Sequence, residues 1–373
     1  MKVCLVHDDL VQEGGAERLF AEIAKIYPDA PIYTSLFDWS RIPKSIDPKR
    51  IKTSFIQKIP LANHLYKILL PLYPFAFESF DFSDFDLIIS STTRFAKSII
   101  TKPNTVHISY VNSVPRFLFN QNQADQYLPR LLRFILKPYF NWLKRWDKVA
   151  SSRPDFYIAN SQNVALLIMK VYELESTVIY PFADTDFFRK KRERLRELKS
   201  DSYYLVVSRL VKWKKIDIAI QAACELGVDL KIVGTGPDEE RLKEILHSVQ
   251  NDNQGSVEFL GSVSKEELRG LYQNAKTLIV TQEEDFGIAA AEAQSCGTAV
   301  IAYAKGGATE IIINNKTGLT FENQTANSLK DAIKRAAIVK YDHTVCRKNA
   351  LRFTKVNFTK ELTNFVNNAR NSR

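Results

Sequence analysis

Short, apolar-rich runs alternate along the chain with longer amphipathic stretches. Residues 2–6 (KVCLV), 105–111 (TVHISYV), 203–207 (YYLVV), 228–233 (VDLKIV) and 277–280 (TLIV) are too short for helices and rich in apolar, largely β-branched residues. Apolar runs of this length, separated by helix-like segments, predict parallel strands covered on both faces, and therefore an α/β chain. A charged stretch, residues 189–199 (RKKRERLRELK), interrupts the alternation as a boundary between domains would. The expected organisation is a first domain over 1–183, a linker over 184–201, a second domain over 202–345 and a helical segment over 346–373 returning toward the first domain. Ser161 reads as the cap of a helix that follows it.

Residues 281–303 (TQEEDFGIAAAEAQSCGTAVIAY) carry the most chemistry. The strand at 277–280 runs into an acidic corner, Glu283, Glu284, Asp285, Phe286 and Gly287. A small-residue helix over 288–294 and a second strand over 298–302 follow. This order places the corner at the carboxyl edge of a sheet, where open α/β sheets bind ligands. Amides at Gly287 and Ile288 open the helix and suit a diphosphate. Glu292 lies eight positions after Glu284, which on a continuous helix is roughly 12 Å of rise. A helix this apolar on every side is not a surface helix, so the acid on it requires a reason. A diphosphate with hydroxyl-bearing ends, as in a nucleotide sugar, fits an anion seat flanked by two carboxylates.

Glycines mark other strand-to-helix junctions: Gly14 and Gly15 after the first strand, and Gly234 and Gly236 after the strand at 228–233. Such turns allow close backbone approach to a phosphate. No G-x-G-x-x-G is present, which weakens a dinucleotide reading. Cations at Arg209 and Lys214, just past a strand, can neutralise a diphosphate. His107, within a strand, reads as a core histidine, and Asp81, Asp84 and Asp86 among phenylalanines read as packing rather than a metal site.

Composition refines the picture in three places. The four cysteines are isolated, which speaks for reduced thiols and against a metal cluster. The net charge of +10 over 373 residues implies an anionic partner. Residues 128–148 (LPRLLRFILKPYFNWLKRWDK) interleave basic and aromatic residues, a pattern suited to an anionic membrane surface or to a helix pair with a wet basic face. No nucleic-acid motif accompanies the charge. No apolar run approaches membrane-spanning length, so the expected location is the cytoplasm, with peripheral contact at the inner face of its membrane.

Several segments together resemble the retaining glycosyltransferases of family four, in particular a mannosyltransferase-like branch of bacterial polysaccharide and O-antigen biosynthesis. They are E-x-F-G-x4-E at Glu284 to Glu292, G-G-A-E-R from Gly14, S-R-L-V-x-x-K-x-x-D from Ser208, and an I-Q-K-x-P … L-P-L-Y-P … F-E-S-F-D … I-S-S run in the first half. The resemblance implies the GT-B fold, two Rossmann-like domains with parallel sheets facing a central cleft, and no metal or cofactor. It implies that Glu292 holds the donor ribose and Glu284 the hydroxyls of the transferred sugar. It also puts Arg209 and Lys214 on the phosphates, with Gly14 and Gly15 facing them from the first domain and Val263 near the base. Relatives carry a His in H-T-P-x-R wording where this chain has Asn112, and an amide cannot move a proton near neutral pH.

The expected activity is transfer of an α-linked hexose, mannose first, from a GDP- or UDP-linked donor to a glycan or lipid-linked acceptor. Two alternatives stay open: a nucleotide-sugar hydrolase or epimerase, and a non-catalytic binding subunit.

Overall fold

A computed structural model describes residues 1–12, 14–42, 44–66, 68–119, 136–189, 203–249 and 255–372. The chain forms two compact units, Met1–Tyr180 with Phe358–Arg373, and Pro181–Asn357. Residues 190–201, most of the expected linker, lie outside the described residues. The chain passes to the second unit at Pro181 and re-enters the first within its last helix, so residues 346–357 belong to the second unit.

In the first unit, seven parallel strands were described: β1 (Val3–His7), β2 (Ile32–Thr34), β3 (Ile51–Thr53), β4 (Leu87–Thr92), β5 (Val106–Val111), β6 (Phe156–Ala159) and β7 (Thr177–Val178). Their order across the sheet is β3-β2-β1-β4-β5-β6-β7. Every residue of β4 and β5 is buried, the polar Ser90, Ser91, His107 and Ser109 included, so both faces of the sheet are covered. Helix α1 (Gly15–Ile26) follows β1 and buries Leu19, Phe20, Ile23 and Ala24. Helix α2 spans Lys137–Ala150; the remainder of the basic stretch, 128–135, lies outside the described residues. Its single acid, Asp147, is turned inward, where it pairs with Lys97 at 2.5 Å and accepts from the Tyr172 hydroxyl at 2.6 Å. Helix α3 (Gln162–Tyr172) is capped as its sequence predicts: the Ser161 hydroxyl accepts from the Val164 amide at 3.0 Å.

The second unit repeats the plan. Strands β8 (Tyr204–Val207), β9 (Leu230–Val233), β10 (Val257–Gly261), β11 (Thr277–Val280), β12 (Ala299–Tyr303) and β13 (Gly318–Phe321) are parallel, in the order β10-β9-β8-β11-β12-β13. Helices α4 (Lys265–Asn274) and α5 (Ile288–Ser295) flank β11, and α6 (Lys355–Asn371) ends the chain. In both units the order reverses beside the first strand, between β1 and β4 and between β8 and β11. Loops leaving the carboxyl ends of such a pair diverge and leave a crevice, the position where doubly wound sheets take ligands. That geometry selects four loops as the places to look.

Candidate functional site

In the second unit, the loop after β8 and the loop after β11 meet through side chains. Lys214, at the end of a short 3-10 turn (Lys212–Lys214), extends its Nζ to Glu284 Oε1 at 2.6 Å. The Gln282 side-chain amide donates to the same oxygen. The Thr281 hydroxyl donates to the Lys214 carbonyl at 2.6 Å and the Gln324 amide to the Thr281 carbonyl at 2.8 Å, which fixes one loop against the other. The Lys214 ammonium also sits 4.2 Å from the centre of the Trp213 ring, a cation–π contact. With 11% and 22% exposure, the Lys214 and Glu284 side chains are shielded yet reachable by a ligand.

Glycines hold the corner in place. Glu284 forms an isolated parallel bridge with Gly306, and the Gly307 amide donates to the Glu284 carbonyl at 2.8 Å. Gly306 has φ +90°, and a Cβ there would stand 2.5 Å from that carbonyl oxygen. Gly287 (φ +102°) turns the chain into α5, whose first turn carries no side-chain cap. Phe286 anchors the turn, 3% exposed and edge-on to Phe353 at 5.2 Å. Asp285 and Ile288 are half-buried beside it.

Glu292 lies within α5, 7% exposed, and accepts from the Tyr272 hydroxyl at 3.2 Å. Burial first, and then the charge of Glu292, push the nearby Cys296 thiol up to about 12, which keeps it unreactive. The rise of 12 Å expected between Glu284 and Glu292 does not apply, since α5 begins at Ile288 and Glu284 stands on the bridge before it.

Gly234 and Gly236 serve the loops directly. A Cβ on Gly234 (φ +130°) would lie 1.9 Å from the Ser208 carbonyl oxygen, and one on Gly236 would lie 2.1 Å from that of Leu210. They let the loop after β9 press on the backbone either side of Arg209, whose own side chain is exposed. Val263 is half-buried beyond β10.

The first unit carries its own charged switch point, which the sequence did not announce. Asp8, directly after β1, is buried and accepts from the amides of Thr93, Arg94, Phe95 and Ala96 at 2.5–2.8 Å. Burial raises its pKa, but the Arg94 and His7 charges and these amides outweigh burial and hold the carboxyl below its usual range. Asp9 pairs with the Arg94 guanidinium and accepts from the Tyr73 hydroxyl at 3.3 Å. Each unit therefore places an acid–cation pair across its switch point.

Gly14 departs from expectation. Its amide donates to Glu17 Oε2 at 2.9 Å, while Gln12 donates to the other oxygen of Glu17 at 3.2 Å. A side-chain carboxylate thus takes up the anion seat expected of Gly14, and a Cβ at Gly14 would lie 2.6 Å from it. Gly15 opens α1. Asn112, 8% exposed, donates to Ser91 Oγ at 2.9 Å and receives the Asn160 amide on its carbonyl at 2.8 Å. His107 is a core residue, bonded through Nε2 to Ser90 Oγ at 2.9 Å. Among the described residues no cluster of three or more His, Cys, Asp or Glu could hold a metal.

Residues 187–352 match the family described as glycosyl transferases group 1. That match spans under half of the chain and lies within the second unit. An uncharacterized glycosyltransferase of Methanocaldococcus jannaschii is 23% identical, covering 74% of this chain and 72% of its own. A GDP-mannose-dependent alpha-(1-6)-phosphatidylinositol monomannoside mannosyltransferase of Mycobacterium tuberculosis is 31% identical over 42% of this chain, and the match spans only 46% of that relative. Among solved structures, Anabaena HepE in complex with UDP-glucose superposes with a TM-score of 0.68 at 19% identity, over 99% of this chain and 100% of that one. The two parallel sheets are those of the GT-B fold. The matched family segment contains Arg209, Lys214, Glu284 and Glu292 and all six strands of the second sheet.

Proposed function

We propose that this chain is a group 1 glycosyltransferase, metal-independent and retaining, that moves an α-linked hexose from a nucleoside-diphosphate sugar to a glycan or lipid-linked glycan. The observation that carries the reading is the Lys214–Glu284 contact at the switch point of the second unit, with the α5 amides and Glu292 on the same element chain. In this reading Lys214, Arg209 and the amides after Gly287 stabilise the charge that builds on the leaving diphosphate. Glu284 receives the hydroxyls of the transferred sugar and Glu292 those of the ribose. The described relative that uses GDP-mannose favours mannose, and the neighbour solved with UDP-glucose keeps a UDP-linked donor in view.

Asn112 takes the place of the usual His and supplies an amide, not a proton, to the acceptor side. Docking on an anionic membrane is consistent with α2. With Asp147 buried, the exposed charges of that helix (Lys137, Arg145 and Lys148) are all positive, and Trp142 is 41% exposed, stacked on Phe75 at 6.1 Å.

The decisive experiment is product analysis by proton NMR, with GDP-mannose or UDP-glucose supplied with and without bacterial glycan extract. Acceptor-dependent appearance of an α-anomer supports the reading. Release of free sugar at the same rate without acceptor supports a hydrolase instead.

A further inference from the structure

The loop after β2 presents an aromatic corner that the transfer reading does not use. Trp39 is 67% exposed, and Phe37 meets it edge-on at 5.3 Å. Single exposed apolar residues are ordinary, so the question is whether this one is held for a purpose. The loop is not loose. The β1–β2 ladder resumes beyond the strands at Leu10 and Phe37, with the Leu10 amide donating to the Leu36 carbonyl and the Asp38 amide to the Leu10 carbonyl, both at 2.8 Å. Gln57 Oε1 accepts from the Phe37 amide at 2.8 Å. Asp38 closes the tip by accepting from the Ser40 amide at 2.9 Å and the Ser40 hydroxyl at 2.7 Å, and it lies 3.6 Å from the exposed Arg41 guanidinium.

The result is an exposed indole on a backbone held in place, with an Asp38–Arg41 carboxylate–guanidinium pair from the same loop tip, on the carboxyl edge of the first sheet. Leu10, to which the loop is stitched, directly follows the Asp8–Asp9 pair and precedes Gly14 by four positions. A rigid aromatic flanked by a few convergent polar groups is the form of a binding anchor, since the ring contributes area without a large ordering cost. A pyranose ring fits it. One face of such a sugar is lined with C–H groups that lie on an indole, and its rim hydroxyls pair with a carboxylate and a guanidinium.

We propose that Trp39, with Phe37, Asp38 and Arg41, binds a pyranose ring of the acceptor glycan. The proposal rests on the transferase reading for the identity of its ligand as acceptor, and on the loop alone for sugar binding. Trp39 is a specificity residue in this account, acting on the acceptor and leaving the donor untouched.

Saturation-transfer NMR on the full chain tests it, with methyl α-mannopyranoside, methyl α-glucopyranoside and methyl β-galactopyranoside as probes. At least one glycoside gives ring-proton signals with wild type. Its affinity falls about tenfold in Trp39→Ala and stays within about threefold in Trp39→Phe, which keeps an aromatic face. Trp39 is exposed, so both variants fold, and a thermal shift with GDP and UDP is unchanged in each. Signals that survive Trp39→Ala overturn the proposal, as does the absence of signal from every glycoside with wild type. If nucleotides fail to shift wild type while glycoside signals depend on Trp39, the transferase reading fails and the sugar platform stands.

Discussion

Replacing Lys214 by Met keeps the length of the side chain and removes its charge. In the structure the ammonium contacts Glu284 Oε1 at 2.6 Å, which at an effective dielectric of about 20 is a gross attraction of ~6 kcal/mol. Most of this is offset by desolvation of two shielded groups, so the net loss of folding stability is roughly 1–2 kcal/mol. Glu284 keeps the Gln282 amide as a donor, which limits the damage. Activity falls much further. If Lys214 also faces the leaving diphosphate, its loss removes one preorganised donor and cuts kcat by about 10²–10³, or ~2.7–4 kcal/mol of barrier. The assay is steady-state turnover of nucleotide sugar alongside urea unfolding of Lys214→Met, Glu284→Gln and the double variant. Because the two side chains touch, the double variant loses less activity than the product of the single losses. Turnover of Lys214→Met within about threefold of wild type, under 1 kcal/mol of barrier, refutes the role given to this pair.

Three further outcomes follow from single contacts. Gly234→Ala forces a Cβ to 1.9 Å from the Ser208 carbonyl in a positive-φ conformation, so urea unfolding should show a loss of at least about 2 kcal/mol; a neutral result would contradict the packing role given to this glycine. Burial alone drives the pKa of His107 down to about 3. Below pH ~6.5 the unfolded chain takes up a proton that the native state refuses, so stability falls between pH 6.5 and 3 by up to about 1.4 kcal/mol per unit. His107→Leu should flatten that slope in unfolding curves at pH 7 and pH 5, and an unchanged slope would mean that His107 protonates in place. Flotation with phosphatidylglycerol vesicles should capture the protein at low salt and release it as ionic strength rises, more readily for Trp142→Ala; equal capture by phosphatidylcholine vesicles would rule out the electrostatic surface on α2.

The sheets and the acidic corner were legible because their signals are local. Apolar-rich runs, glycine turns and the Ser161 cap all lie within a few residues of the structure they specify. What the sequence concealed depends on contacts between distant positions. Lys214 and Glu284 are 70 residues apart, and Asp9 and Arg94 are 85 apart, joined only because each pair straddles a point where strand order reverses. The first-unit cluster had one faint signal, two consecutive acids closing an apolar strand. Within G-G-A-E-R, the Glu17 carboxylate takes the Gly14 amide that an anion was expected to use. Nothing local in the basic stretch marks Asp147 as inward-facing, and its burial against Lys97 is what leaves the exposed charges of α2 all positive. The helical rise assumed between Glu284 and Glu292 failed for a related reason: the bridge to Gly306 holds Glu284 in extended backbone ahead of α5.

The central claim is that the second unit seats a nucleoside-diphosphate sugar with Glu292 on its ribose. Calorimetric titration of GDP-mannose and of UDP-glucose into wild type and Glu292→Gln tests it most directly. The account predicts that one donor binds wild type and that Glu292→Gln weakens it at least tenfold, about 1.4 kcal/mol, while the unliganded variant stays folded. Binding of equal strength to both proteins, or no binding of either donor to wild type, would contradict it.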